Sequence, residues 1–87
     1  MGEVEAKFLE YIKRRLNEGN LTVSADELRD GVLRENPEFR NREAFRRALQ
    51  RLSVRNVINA VDAPDGTLHY FIGNYATAEI RASLGLS

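Results

Sequence analysis

Residues 56–73 read NVINAVDAPDGTLHYFIG, and the hydrophobic spacing changes there from a helical period to the alternation of strands. Val57, Ile58 and Val61 make a β-prone run. APDG follows with turn chemistry: Pro64 has the fixed φ that suits the second turn position, and Gly66 takes a positive φ without steric cost. In TLHYFI, Leu68, Tyr70 and Ile72 fall on one side and Thr67, His69 and Phe71 on the other. This predicts a β-hairpin over residues 56–72. One of Tyr70 and Phe71 should join the core while the other packs under the last helix. Without the hairpin, the chain would be a three-helix bundle with a disordered tail. The turn at Pro64–Gly66 argues against that.

Upstream, the spacing is helical. Asn41 is a good N-cap for a helix over residues 42–53 whose apolar face is Phe45, Ala48, Leu49 and Leu52, with Ala44 beside them. The preceding NPEFRN breaks the chain, because the residue before a proline avoids the helical region. Ser24 and Glu27 form an S-x-x-E capping box, with Val23 and Leu28 placed as a hydrophobic staple. They open a helix over residues 24–35 with Leu28, Val32 and Leu33 inward. Gly31 inside it costs up to ~1 kcal/mol relative to alanine, which a close helix crossing would explain. LTV, residues 21–23, reads as a short strand. Residues 3–18 form an amphipathic helix with Val4, Phe8, Tyr11, Ile12 and Leu16 in one arc, stopped at Gly19. A closing helix over residues 76–84 carries Ile80 and Leu84, and Gly85 with Leu86 resembles a Schellman ending.

Eighty-seven residues at 43% hydrophobic make one folded domain, residues 1–87, with a small core. There is no cysteine, which excludes disulfides and cysteine-ligated zinc, and a single histidine makes a metal site improbable. No apolar run approaches the ~20 residues of a membrane span. MGEVEAKF lacks the apolar core of a signal peptide. A cytoplasmic location, or a nuclear one in a eukaryote, is expected. No nucleophile stands with a base at recognisable spacing, and no glycine-rich phosphate loop is present, so neither catalysis nor a cofactor is expected.

The formal charge is zero, yet it is not evenly spread. Residues 1–39 carry six Lys/Arg and nine Asp/Glu, a net of −3. Residues 40–55 carry six arginines against Glu43 alone, a net of +5, and residues 56–87 carry Arg81 against three acids, a net of −2. Such polarity bears on partners more than the overall balance does.

The order helix, short strand, helix, turn, helix, hairpin and closing helix resembles the winged helix-turn-helix superfamily, an α+β fold. The resemblance is one of element order, lengths and apolar spacing over nearly the whole chain. It implies that the short strand pairs with the hairpin, and that the hairpin is the wing. It also implies that the third helix enters the major groove of duplex DNA. On that reading Arg42, Arg46, Arg47 and Gln50 face the groove, while Arg40, Arg51 and Arg55 grip phosphates. The closing helix would either make a homodimer or cover the core of a monomer. Glu43 can pair with Arg46 and Arg47 along the helix, which would make the face merely a solvated one. The wing tip carries Asp62 and Asp65 with no cation, which suits a protein partner. A winged-helix protein-interaction module, its basic helix against an acidic partner, is therefore the alternative.

Overall fold

The computed structural model describes residues 2–39 and 41–86. Its elements are α1 (Glu3–Asn17), β1 (Val23–Ser24), α2 (Ala25–Glu35), α3 (Arg42–Val54), β2 (Asn59–Asp62), β3 (Leu68–Phe71) and α4 (Ala78–Ser83). The three strands form one antiparallel sheet in the order β1-β3-β2, so the chain is α+β. Among the described residues, no helix is long and apolar enough to cross a membrane.

Local chemistry explains most of the boundaries. The Ser24 hydroxyl accepts from the Glu27 amide at 3.1 Å, and the Asn41 side chain accepts from the amides of Glu43 and Ala44. The Glu27 carboxylate is drawn across to α1, where Arg15 Nε donates to it at 3.0 Å and the Tyr11 hydroxyl at 3.3 Å. Only the hydroxyl half of the capping box therefore acts as the sequence suggests. α1 ends in a Schellman motif: Gly19 has φ +99°, its amide donates to Leu16, and the Asn20 amide donates to Arg15. Gly85 and Leu86 close α4 in the same way, on the carbonyls of Ala82 and Arg81.

Several boundaries differ from the sequence reading. α3 also ends in a Schellman motif, with Asn56 at φ +57° and the amides of Asn56 and Val57 donating to Ser53 and Leu52. Asparagine is the residue besides glycine that tolerates this conformation. Residues 56–58 are thus used to cap α3, and the hairpin strands begin only at Asn59. Ile72 lies beyond the end of β3 and is exposed. The first strand is Val23–Ser24 rather than residues 21–23, because Tyr70 and His69 of β3 meet Val23 and Ser24. The last helix begins at Ala78, not at residue 76, because Thr77 is its N-cap and accepts from the Ile80 amide.

The hairpin turn matches its chemistry. The Gly66 amide donates to Ala63, Gly66 has φ +88°, and Asp65 Oδ1 accepts from both the amide and the hydroxyl of Thr67. Opposed residues of a sheet share a face, so Val23 and Tyr70 point together toward the helices, while Ala60, opposite Tyr70 on the edge strand, is exposed. There Tyr70 joins a core of Phe8, Tyr11 and Ile12 from α1, Leu28 and Val32 from α2, and Phe45, Ala48 and Leu52 from α3. Phe71 and Ile80 are buried outside that cluster, as expected for an aromatic on the other sheet face.

Two contacts set the helix positions. The Phe8 and Phe45 rings meet edge to face, 5.1 Å between centroids, and join α1 to α3. At Gly31, a Cβ would fall 2.3 Å from the Tyr11 ring, so the glycine is the space into which Tyr11 packs. The helix crossing expected from Gly31 is present. Burial, and then the neighbouring Glu27 carboxylate, push the Tyr11 hydroxyl above its ordinary pKa.

Candidate nucleic-acid interface

α3 is held from behind by Phe45, Ala48 and Leu52, all buried, with Ala44 and Leu49 half-buried at its edges. With those positions inward, the helical repeat turns Arg42, Glu43, Arg46, Arg47, Gln50 and Arg51 outward, and each of them is exposed. Arg55, the C-cap residue, is exposed too. Arg40 lies outside the described residues.

These side chains border three different depressions. Arg46 and Gln50 line a groove between α3 and the sheet, together with Leu49, Ser53 and Tyr70. Arg42 lines a separate cleft at the start of the helix, against Arg29, Leu33, Phe39 and Phe45. Arg47 and Arg51 border a third depression, shared with Glu5 and Val4 of α1.

Two carboxylates already engage four of the arginines. Glu43 receives Arg46 Nη2 at 2.5 Å and faces Arg47 Nε at 3.7 Å, the i+3 and i+4 pairing expected along a helix. All three side chains are at least half exposed. The Arg46 hydrogen bond holds the Glu43 carboxyl below its ordinary pKa and raises that of the guanidinium.

The second carboxylate was not identified from the sequence. Glu5 of α1 is 4% exposed at its side chain, with Oε1 3.2 Å from Arg51 Nη1 and Oε2 3.5 Å from Arg55 Nη1. Both guanidiniums remain more than half exposed. Arg51 donates a hydrogen bond to Oε1, whereas Oε2 has no hydrogen-bond donor among the described residues. A signal was present: Glu5 lies three residues before Phe8 and seven before Ile12, on the buried face of α1. A carboxylate there must find a cation on whatever helix packs against it. Arg42 and Gln50 make no ion pair or hydrogen bond among the described residues.

The hairpin offers no cation. Asp62 and Asp65 are exposed, and the turn lies beside the N-terminus of α2, where Asp26 and Asp65 border the same depression. Asp65 is held by Thr67, whose hydrogen bonds lower its pKa. His69 is half-buried and bridges Thr22 and Thr67 through its two ring nitrogens, at 3.3 and 3.1 Å. The molecule therefore has one cationic helix and an acidic hairpin end. Compared with protein-family models, curated proteins and solved structures, the chain matches none.

Proposed function

We propose that the chain is a winged helix that binds duplex DNA, with α3 against the major groove and without catalysis. It would serve as a transcriptional regulator or an accessory factor in genome maintenance. The observation that carries this reading is the outward row of arginines on a helix whose opposite face is fixed in the core. A helix fits the major groove, and its arginines pair with phosphate or with guanine while a glutamine suits adenine. The pairing of β1 with the hairpin, and the placing of α2 and α3 on either side of a short turn, support the winged-helix part.

Salt titration of binding to random-sequence duplex tests the proposal. Each phosphate neutralised contributes about −0.9 to the slope of log affinity against log salt. Contact through Arg42, Arg46 and Arg47 gives a slope of about −2.7, and recruitment of Arg51 and Arg55 takes it to about −4.5. Absence of binding at ~50 mM salt, where phosphate contacts are strong, overturns the proposal. Arg46→Ala with Arg47→Ala should flatten the slope by about 1.8 and leave the fold intact, since both side chains are exposed.

One observation favours a second reading, a protein-interaction module. The hairpin end carries Asp62 and Asp65 and no cation, and Glu43 lies on the face that would meet phosphate. An acidic protein surface tolerates both better than DNA does. Binding to an acidic polypeptide, with none to duplex at the same salt, would select this reading.

A further inference from the structure

We propose that Glu5 is a positioning residue that withholds Arg51 and Arg55 from phosphate, so that α3 meets DNA through Arg42, Arg46 and Arg47. The inference deepens the DNA-binding proposal and rests on α3 being the phosphate-binding face.

The argument turns on what each arginine would leave behind. If Arg46 swings toward a phosphate, Glu43 is left in water, which solvates it at little cost, because its side chain is half exposed. If Arg51 and Arg55 do the same, Glu5 is left as a lone charge with 4% of its side chain exposed. Its Oε2 has no hydrogen-bond donor among the described residues, so the Arg55 guanidinium at 3.5 Å is the counter-charge that atom has. An uncompensated buried carboxylate is far more costly than an exposed one. Keeping the pair while adding a phosphate does not escape the cost. The two arginines and Glu5 sum to one positive charge, and an incoming anion would be repelled by the carboxylate beneath. The α1 side of α3 is thereby electrostatically muted, and the sheet side, with Arg46 and Gln50, faces the ligand.

Glu5→Gln removes the charge and keeps the shape. It should steepen the salt slope for duplex DNA by about 0.9 for each arginine released, up to about 1.8. The ratio of affinities at ~50 and ~200 mM salt then widens about tenfold. The same variant should elute from immobilised heparin at higher salt than the parent chain. A purely structural clamp would move the melting temperature but neither of these readouts. A folded Glu5→Gln chain with unchanged slope and unchanged heparin elution overturns the inference. If the variant does not fold, Arg55→Gln is used, because Glu5 then keeps Arg51. Its slope should equal that of the parent, and flattening by about 0.9 overturns the inference. Later heparin elution of Glu5→Gln without duplex binding by either protein sinks the DNA reading, and of the inference it supports only that Glu5 withholds Arg51 and Arg55 from anions. Failure of both proteins to bind heparin at low salt sinks the two together.

Discussion

The two halves of α3 solve the same problem differently. In the N-terminal half, Glu43 neutralises Arg46 and Arg47 from within the helix and in water. In the C-terminal half, Glu5 reaches Arg51 and Arg55 from another helix and from inside the protein. The charges are alike and the distances similar, yet the two pairs do different things. An exposed carboxylate makes an arginine comfortable without committing it. A buried one commits it, because releasing the arginine strands a charge away from water. Charge counting along the sequence treats these arginines as equivalent, whereas desolvation makes them unequal.

The sharpest way to break the comparison is to remove the cations from one half. Arg51→Gln with Arg55→Gln leaves Glu5 buried and unpaired. It should destabilise the fold by about 3 kcal/mol, the low end of the range for broken buried pairs, because the two guanidiniums are themselves largely in water. Urea denaturation at pH 7 measures it. An effect below ~0.5 kcal/mol, the size expected of an ordinary surface substitution, would show that Glu5 is not electrostatically dependent on α3.

Next comes a change that separates the halves without touching any charge. Gly31→Ala puts a Cβ where the Tyr11 ring lies, 2.3 Å away. Overpacking costs about 1–3 kcal/mol, against a gain of up to ~1 kcal/mol in helix propensity. With the full propensity gain subtracted, the net should be a destabilisation of up to about 2 kcal/mol. Tyr11 and Glu5 share α1, so displacing that helix disturbs the Glu5 pairs and leaves those of Glu43 alone. An NMR comparison of guanidinium signals should show Arg51 and Arg55 shifting and Arg46 unmoved. Shifts of all three alike would mean the two halves are not mechanically separate.

Much of this arrangement was legible in the sequence because it is local. The hairpin could be read from Pro64, Asp65 and Gly66, and the caps of α2 and α3 from Ser24 and Asn41. The apolar face of α3 followed from its spacing. What was not legible depends on the partner element. Asn56 gave no sign that it would take a left-handed conformation and shorten the hairpin strands. Glu27 has the spacing of half a capping box, yet Arg15 and Tyr11 claim its carboxylate from another helix. A wheel of α1 shows only that Glu5 lies near Ile12. That it would sit beneath the C-terminal half of α3 depends on how Phe8 and Phe45 set the two helices. The row of arginines was visible as a charge excess, and its division into committed and uncommitted members was not.

The smallest effect belongs to Glu43, and it tests the exposed half of the comparison. Glu43→Gln should lower the melting temperature less than either change above, since the pairs it removes are in water. The hydrogen bond from Arg46 holds the Glu43 carboxyl below its ordinary value of 4.5 in the folded chain. A depressed folded value means the pair's contribution is complete above the ordinary value and is lost as pH falls through the lower one. The difference in melting temperature between the parent and Glu43→Gln should therefore be constant from pH 7 down to pH 5. It should shrink only below pH 4.5, where protonation turns the parent into the equivalent of the variant. At pH 7 the same substitution should strengthen heparin binding slightly, because Arg46 and Arg47 lose an anion they were never bound to tightly. A gain as large as that of Glu5→Gln would contradict the distinction between the two halves, since it would make an exposed carboxylate as effective a restraint as a buried one.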